Sequence, residues 1–153
     1  MVAKSVWGPA IWYFFHTLSY KLKPNHFNEL KDQLIDHFVS ICNNLPCPEC
    51  AEHARQELKH LDKSKITNKK ELCMYFIHFH NKVNIRNRKK IFTFDEFVSK
   101  YSSAVTRNVI SNFFIVLTKS DHNVKLMTNS FHRSTTIVDL KKWLMVNGSK
   151  FSP

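Results

Sequence analysis

Apolar positions recur along this chain mostly at helical spacing. Val6–Tyr20 is almost continuously apolar and predicts a first helix, with Pro9 tolerable near its start. Asn25–Asn44 predicts a second, with Phe27, Leu30, Leu34, Phe38 and Ile41 marking a core face. Leu45-Pro46 breaks it, and Pro48 stands where a first-turn proline belongs, so a third helix is expected from Pro48 to about Leu61. Asn68 followed by Glu71 has the spacing of a capping box and opens a fourth helix through about Asn87. Thr93 and Glu96 repeat that signal for a short fifth helix ending near Ser103.

From Ala104 to Pro153 the pattern is ambiguous. Phe113–Leu117 and Val124–Thr128 flank Ser120-Asp121-His122-Asn123, a possible hairpin turn, yet Val109–Leu117 also fits a helix. Thr136 and Asp139 have the spacing of a cap for a last helix carrying Leu140, Trp143 and Leu144 and ending at Gly148. The expected fold is therefore all-α, with five helices over residues 1–103 and an extension of uncertain structure over 104–153, read either as a packing extension or as a partner-docking or dimer-forming element. The 153 residues suit one compact domain, and only two glycines argue against a turn-rich β fold. The first apolar stretch is too short to span a bilayer and lacks a cleavage pattern, so the chain reads as soluble and cytoplasmic.

Four cysteines change the picture from fold to chemistry. Cys42, Cys47 and Cys50 are close in sequence, and Cys47-Pro48-Glu49-Cys50 opens the third helix. A thiol there meets unpaired backbone N–H groups and the positive end of the helix dipole, which favour thiolate. A disulfide in that turn can open and reclose, as dithiol exchange requires. The rival is half a zinc site completed by His53, His78 or His80, but no second C-x-x-C exists. Cys42 and Cys73 read as buried small hydrophobes, with a bridge between them as the alternative.

A second constellation accompanies the first. Gly8, Trp12 and His16 share one face of the first helix, as a wall for a flat aromatic ligand or as a plain aromatic core stripe. His80, Asn81 and Asn84 add polar groups beside the apolar Tyr75, Phe76 and Phe79. Beyond them Arg86-Asn87-Arg88-Lys89-Lys90 is either a solvated helix end or a site for a pyrophosphate. The formal net charge of +11 suits any polyanion and does not choose among them.

Taken together, Trp12-x-x-x-His16-Thr17-Leu18, Pro46-Cys47-x-x-Cys50 and His80-Asn81-x-Val83-Asn84 with Lys89 beyond resemble the Erv/ALR sulfhydryl oxidases over about Val6 to Tyr101. The flanking Trp7-Gly8-Pro9, Leu45-Pro46 and Lys89-Lys90-Ile91 are most similar to the enzymes of large cytoplasmic DNA viruses, which would place the chain in a host cytoplasm or virion. The resemblance implies a four-helix bundle with a short fifth helix, binding FAD, commonly as a homodimer. It implies catalytic Cys47 and Cys50, with Cys50 beside the flavin and Cys47 exchanging with incoming thiols. It implies Gly8, Trp12, His16, His80, Asn81, Val83 and Asn84 around the cofactor, Lys89 near its phosphates, and no metal. The implied reaction passes electrons from a thiol-bearing protein, or from an electron-carrier protein, through the cysteines and FAD to O2, giving hydrogen peroxide. No nucleic acid is implied as partner.

Three departures stand out, one of them Asn87 at a position that the family fills with an apolar residue. Cellular members carry an additional structural cysteine pair whose matching positions here are Ile77 and Phe94, so apolar contact is expected in its place. No shuttle cysteine pair follows Cys73, so substrate thiols are expected to reach Cys47 directly or through a separate carrier. The functional alternatives are a zinc-stapled module and a basic helical binding module.

Overall fold

The computed structural model describes residues 3–119 and 127–153, with the side chains of 127–131 excepted. Among the described residues it forms seven α-helices: α1 Lys4–Lys21, α2 Phe27–Asn43, α3 Pro48–Leu58, α4 Lys69–Arg86, α5 Phe94–Ser102, α6 Thr106–Leu117 and α7 Met127–Asn147. The one β-type pairing among them is an isolated bridge between Leu22 and Phe151.

α1 is apolar nearly all round, and such a helix must be covered on several sides. It is central: Phe14, Phe15 and Leu18 are fully buried, and α4, α5 and α6 pack against it. The face foreseen on α2 is the one that is buried, from Phe27 through Leu30, Leu34 and Phe38 to Ile41. The cap signals of α4 and α5 both form. The Asn68 side chain accepts from the Glu71 N–H at 2.9 Å, and Thr93 Oγ1 accepts from the Glu96 N–H at 3.2 Å. The reciprocal arm of the first falls one residue outside the cap, because the Glu71 carboxylate accepts from the Thr67 N–H at 2.6 Å. Each such cap contributes about 1 kcal/mol.

The chain after Ala104 is helical, which overturns the hairpin reading of Phe113–Leu117. Tertiary burial decides the ambiguous stretch: Phe113 is fully buried and stacks on Phe14, ring centroids 4.0 Å apart. The suggested turn Ser120–Asn123 lies outside the described residues. Thr136 and Asp139 do not cap a helix but sit inside α7, which begins nine residues before Thr136 at Met127. α7 lies on α2, burying Ile137, Leu140 and Leu144 and donating from Trp143 Nε1 to Gln33 Oε1 at 2.7 Å. The last residues close over the end of α1: the Ser152 N–H donates to the Lys21 carbonyl at 2.7 Å, and Lys150 pairs with Glu29. Residues after Ala104 thus complete the same apolar core as α1 and α2. A smaller apolar cluster between α4 and α5 holds Ile77, Cys73, Phe97 and Tyr101, with Phe94 packed against it. Ile77 and Phe94 therefore both belong to apolar packing between α4 and α5.

Candidate active site

The turn after α2 delivers the cysteines. Pro48 occupies the first turn of α3, and Cys47 is its N-cap in an extended conformation. Cys47 and Cys50 are joined by a disulfide, their Cα atoms 5.2 Å apart. Cys47 Sγ also accepts from the Cys50 N–H at 3.2 Å, the bond a capping oxygen normally makes. That donor and the α3 dipole favour negative charge on Cys47 once the disulfide opens. Cys42 and Cys73 are free and buried, so no bridge joins them, and burial pushes both thiols up.

A trough with two compartments runs between α1 and α4. The smaller, about 100 Å³, is lined mainly by apolar side chains, among them Trp12, Ile11, Phe38, Phe79 and Cys42, together with Cys50, His53, Glu57 and Arg86. The larger, about 670 Å³, is lined by Trp12, Tyr13, His80, Asn84 and Tyr101, with Lys4, Lys89, Lys90 and Lys100. Lys4, Gly8, Trp12, Val83 and Asn87 line both, so the two compartments adjoin across the Trp12 ring.

The polar wall is a ring stack. Trp12 lies on His80 with centroids 4.1 Å apart and planes within 5°. His16, wholly buried behind it, places Nε2 2.9 Å from His80 Nδ1. Burial, then the His80 charge and then Lys100 lower the His16 pKa well below its ordinary value. Burial, then Lys100 and Lys89 lower that of His80 to about 4. Both rings are therefore neutral at pH 7, and one proton serves the contact. His16 Nδ1 has no hydrogen-bond partner. A buried N–H without an acceptor is the rarer defect, so the favoured tautomers have His16 Nε2–H donating and a bare lone pair at Nδ1. The proton of the His80 ring then sits on Nε2.

α4 ends in a backbone turn that presents the lysines. The Lys89 N–H donates to the Asn84 carbonyl at 2.8 Å and the Arg88 N–H to the Ile85 carbonyl at 3.1 Å, with Arg88 at φ 56°. This is the usual glycine-ended helix stop, built here with arginine in the left-handed region. Its bonds carry the chain back towards Asn84 on the trough wall.

Of the residues singled out in the sequence, Gly8, Trp12, His80, Val83, Asn84 and Lys89 line the trough, and Cys50 opens onto its smaller compartment. Cys47 does not line it and is half-buried on the other side of the disulfide. His16 supports His80 from behind. Asn81 lines neither compartment: its amide donates to the Phe92 carbonyl at 2.9 Å and accepts from the Phe92 N–H at 3.1 Å, pinning the segment before α5. Lys90, from the basic run considered for a pyrophosphate, also lines the trough, and Lys4, Ser5, Tyr13, Lys100 and Tyr101 line it without having been singled out. Nothing local marks Lys100 and Tyr101, since the docking of α5 on α1 brings them there. His78 is exposed, and among the described residues no group of three or more His, Cys, Asp or Glu side chains is placed to hold a metal ion.

A flavin dinucleotide needs a flat apolar slot within reach of the disulfide and a cationic region for its pyrophosphate. The compartment beside Cys50 supplies the first. The larger compartment supplies the second, with four lysines and no carboxylate among its lining side chains. A Cβ built on Gly8 would meet no atom within 4 Å, so the glycine leaves space on the trough side of α1. The residues present fit the group.

The family model of the Erv1/Alr family matches residues 9–102. An FAD-linked sulfhydryl oxidase of African swine fever virus, isolate Warthog/Namibia, is 27% identical over 105 residues, spanning 67% of this chain and 86% of the relative. The protein of that name from isolate Pig/Kenya is 28% identical over 107 residues, with the same shares covered. A protein of Invertebrate iridescent virus 6 is 31% identical over 94 residues, 56% of this chain and 83% of the relative. No solved structure matches the chain. A family match over residues 9–102, which carry the redox disulfide and most of the trough walls, shows that this chain belongs to the Erv1/Alr family.

Proposed function

We propose that this protein is an FAD-dependent thiol oxidase that makes disulfides in thiol-bearing substrates. The observation that carries the reading is the disulfide at the start of α3, with Cys50 opening onto a trough that has an apolar slot and a lysine-lined anion region. The relatives named as FAD-linked sulfhydryl oxidases, spanned over 86% of their length, support it.

Cys47, half-buried and away from the trough, receives the substrate. A substrate thiolate attacks Cys47 Sγ: the Cys47–Cys50 bond breaks, a mixed disulfide forms on Cys47, and the electron pair passes to Cys50 Sγ. A second substrate thiol attacks the mixed disulfide, releases the oxidised substrate and leaves Cys47 as thiolate, held by the Cys50 N–H and the α3 N-terminus. Trp12, Phe79 and Val83 would hold the flat ring beside Cys50, and Lys89, Lys90, Lys100 and Lys4 the phosphates. The chemistry that FAD supplies when bound is acceptance of the two electrons of the reduced pair and their delivery to oxygen, with hydrogen peroxide as product. The neutral His16–His80 pair keeps a further cation out of the ring stack and fixes the His80 orientation.

The test is thiol-dependent oxygen uptake by the FAD-loaded protein. Cys50→Ala is expected to abolish turnover with dithiothreitol while the flavin absorbance remains; full activity without Cys50 would remove the reading. The family resemblance also supports a homodimer and protein thiols, met directly or through a carrier, as substrates. Sedimentation of the loaded protein tests the first, with a monomer at micromolar concentration as the contrary result.

A further inference from the structure

We propose that Arg133 of α7, outside the family-matched segment, is a positioning residue for the redox turn that favours the Cys47 thiolate. The proposal rests on the thiol-oxidase reading of Cys47 and Cys50. α2 points its C-terminal end at this turn, and the carbonyls there carry the negative end of the helix dipole. A negative end beside a nascent thiolate opposes its formation, and α2 has no basic residue in its own last turn. The cation comes from the far end of the chain. Arg133 is 7% exposed, and its Nε donates to the Asn44 carbonyl at 2.9 Å.

Asn44 is the C-cap of α2 and stands three residues before Cys47. At most about 11 Å of chain separates their Cα atoms. Its side chain is held as well, donating to the Ser40 carbonyl at 2.8 Å and, more weakly, to Thr136 Oγ1 of α7 at 3.4 Å. α7 thus grips the turn from which the cysteines hang, on both the backbone and the side chain of one residue. A guanidinium stays charged throughout the accessible pH range. In a buried position its field is weakly screened by salt. When the second substrate thiol breaks the mixed disulfide, the electron pair lands on Cys47 Sγ, and the nearby cation stabilises that product and the reduced pair with it.

The test reads the cysteines rather than turnover. The full chain is reduced with a phosphine without oxygen, and the pH profile of Cys47 alkylation by iodoacetamide is followed by mass spectrometry. The Cys47–Cys50 potential is set against glutathione. Arg133→Gln removes the charge and keeps a donor. It is expected to slow alkylation at pH 7 about three- to tenfold, move the profile to higher pH and make the potential more negative. Arg133→Lys should restore most of the profile. If Arg133→Gln does not fold, Thr136→Glu, at a partly exposed position, brings a negative charge to the same turn and should shift the profile in the same direction, with Thr136→Gln as the neutral control. A lowered melting temperature with unchanged profile and potential, in whichever charge variant folds, would overturn the proposal and leave Arg133 a packing residue. Because neither readout involves flavin, absence of oxidase activity would count against the proposed function and not against this inference.

Discussion

The two sides of α1 are built to different rules. Towards α6, Phe14, Phe15 and Phe113 meet ring to ring, wholly buried, with no charged group among them. Towards the trough, the same helix presents Gly8 to open space and Trp12 to a neutral histidine pair whose His16 Nδ1 is unpartnered. In its larger compartment lysines gather without carboxylates, and at the end of α4 Arg88 adopts a left-handed backbone. One side holds the helix in place, and the other holds the groups that stability alone would not select. The difference teaches that α6 and α7, beyond the family-matched segment, supply packing that lets the site side keep its defects.

Four experiments would break or sharpen that contrast, from the largest expected effect downward. Phe113→Ala opens a cavity on the packed side and should lower stability by about 3–5 kcal/mol in urea denaturation, with flavin retention by the folded fraction unchanged. Loss of flavin at full stability would erase the division of labour.

Acid should strike the other side. His80 is held at about 4, below its unfolded value, so between about pH 6.5 and 4 the unfolded chain binds the extra proton. Stability is then complete above the unfolded pKa and falls as pH drops through that window, by about 2–3 kcal/mol for this ring. The His16 shift has the same direction and adds to the loss. Denaturation midpoints from pH 7 to 4 check it, and His80→Phe should flatten the slope.

At the end of α4, Arg88→Gly should relieve the left-handed backbone and raise stability by about 1 kcal/mol, with oxidase activity retained because the Lys89 N–H keeps its bond to Asn84. Smallest is Gly8→Ala. It should gain about 0.5–1 kcal/mol of helix stability, since nothing in the fold contacts the added methyl, while flavin affinity weakens because the methyl enters the trough. Unchanged affinity would place the cofactor away from α1.

Much of this was legible in the chain. Asn68-x-x-Glu71 and Thr93-x-x-Glu96 announce α4 and α5 because caps are local, and the α2 core face follows from spacing alone. Cys47-Pro48-x-Cys50 announces its own turn for the same reason. The family resemblance puts Asn81 on the cofactor wall, whereas its amide serves Phe92, since hydrogen-bond partners eleven residues apart depend on how the chain returns. The stretch Phe113–Leu117 was ambiguous because five apolar residues fit a buried strand or helix equally, and only the Phe14 ring against Phe113 decides.

By itself the sequence determined the helical content, the caps, the cysteine pair and the excess of positive charge, all of which arise from neighbours within a few residues. Only the tertiary structure decided that α5 brings Lys100 and Tyr101 to the trough and that α7 brings Arg133 to Asn44. It also decided that His16 stands behind His80. The physical reason is range: capping and dipole effects fade within one helical turn, whereas burial and field at a site come from whatever the packed core places there.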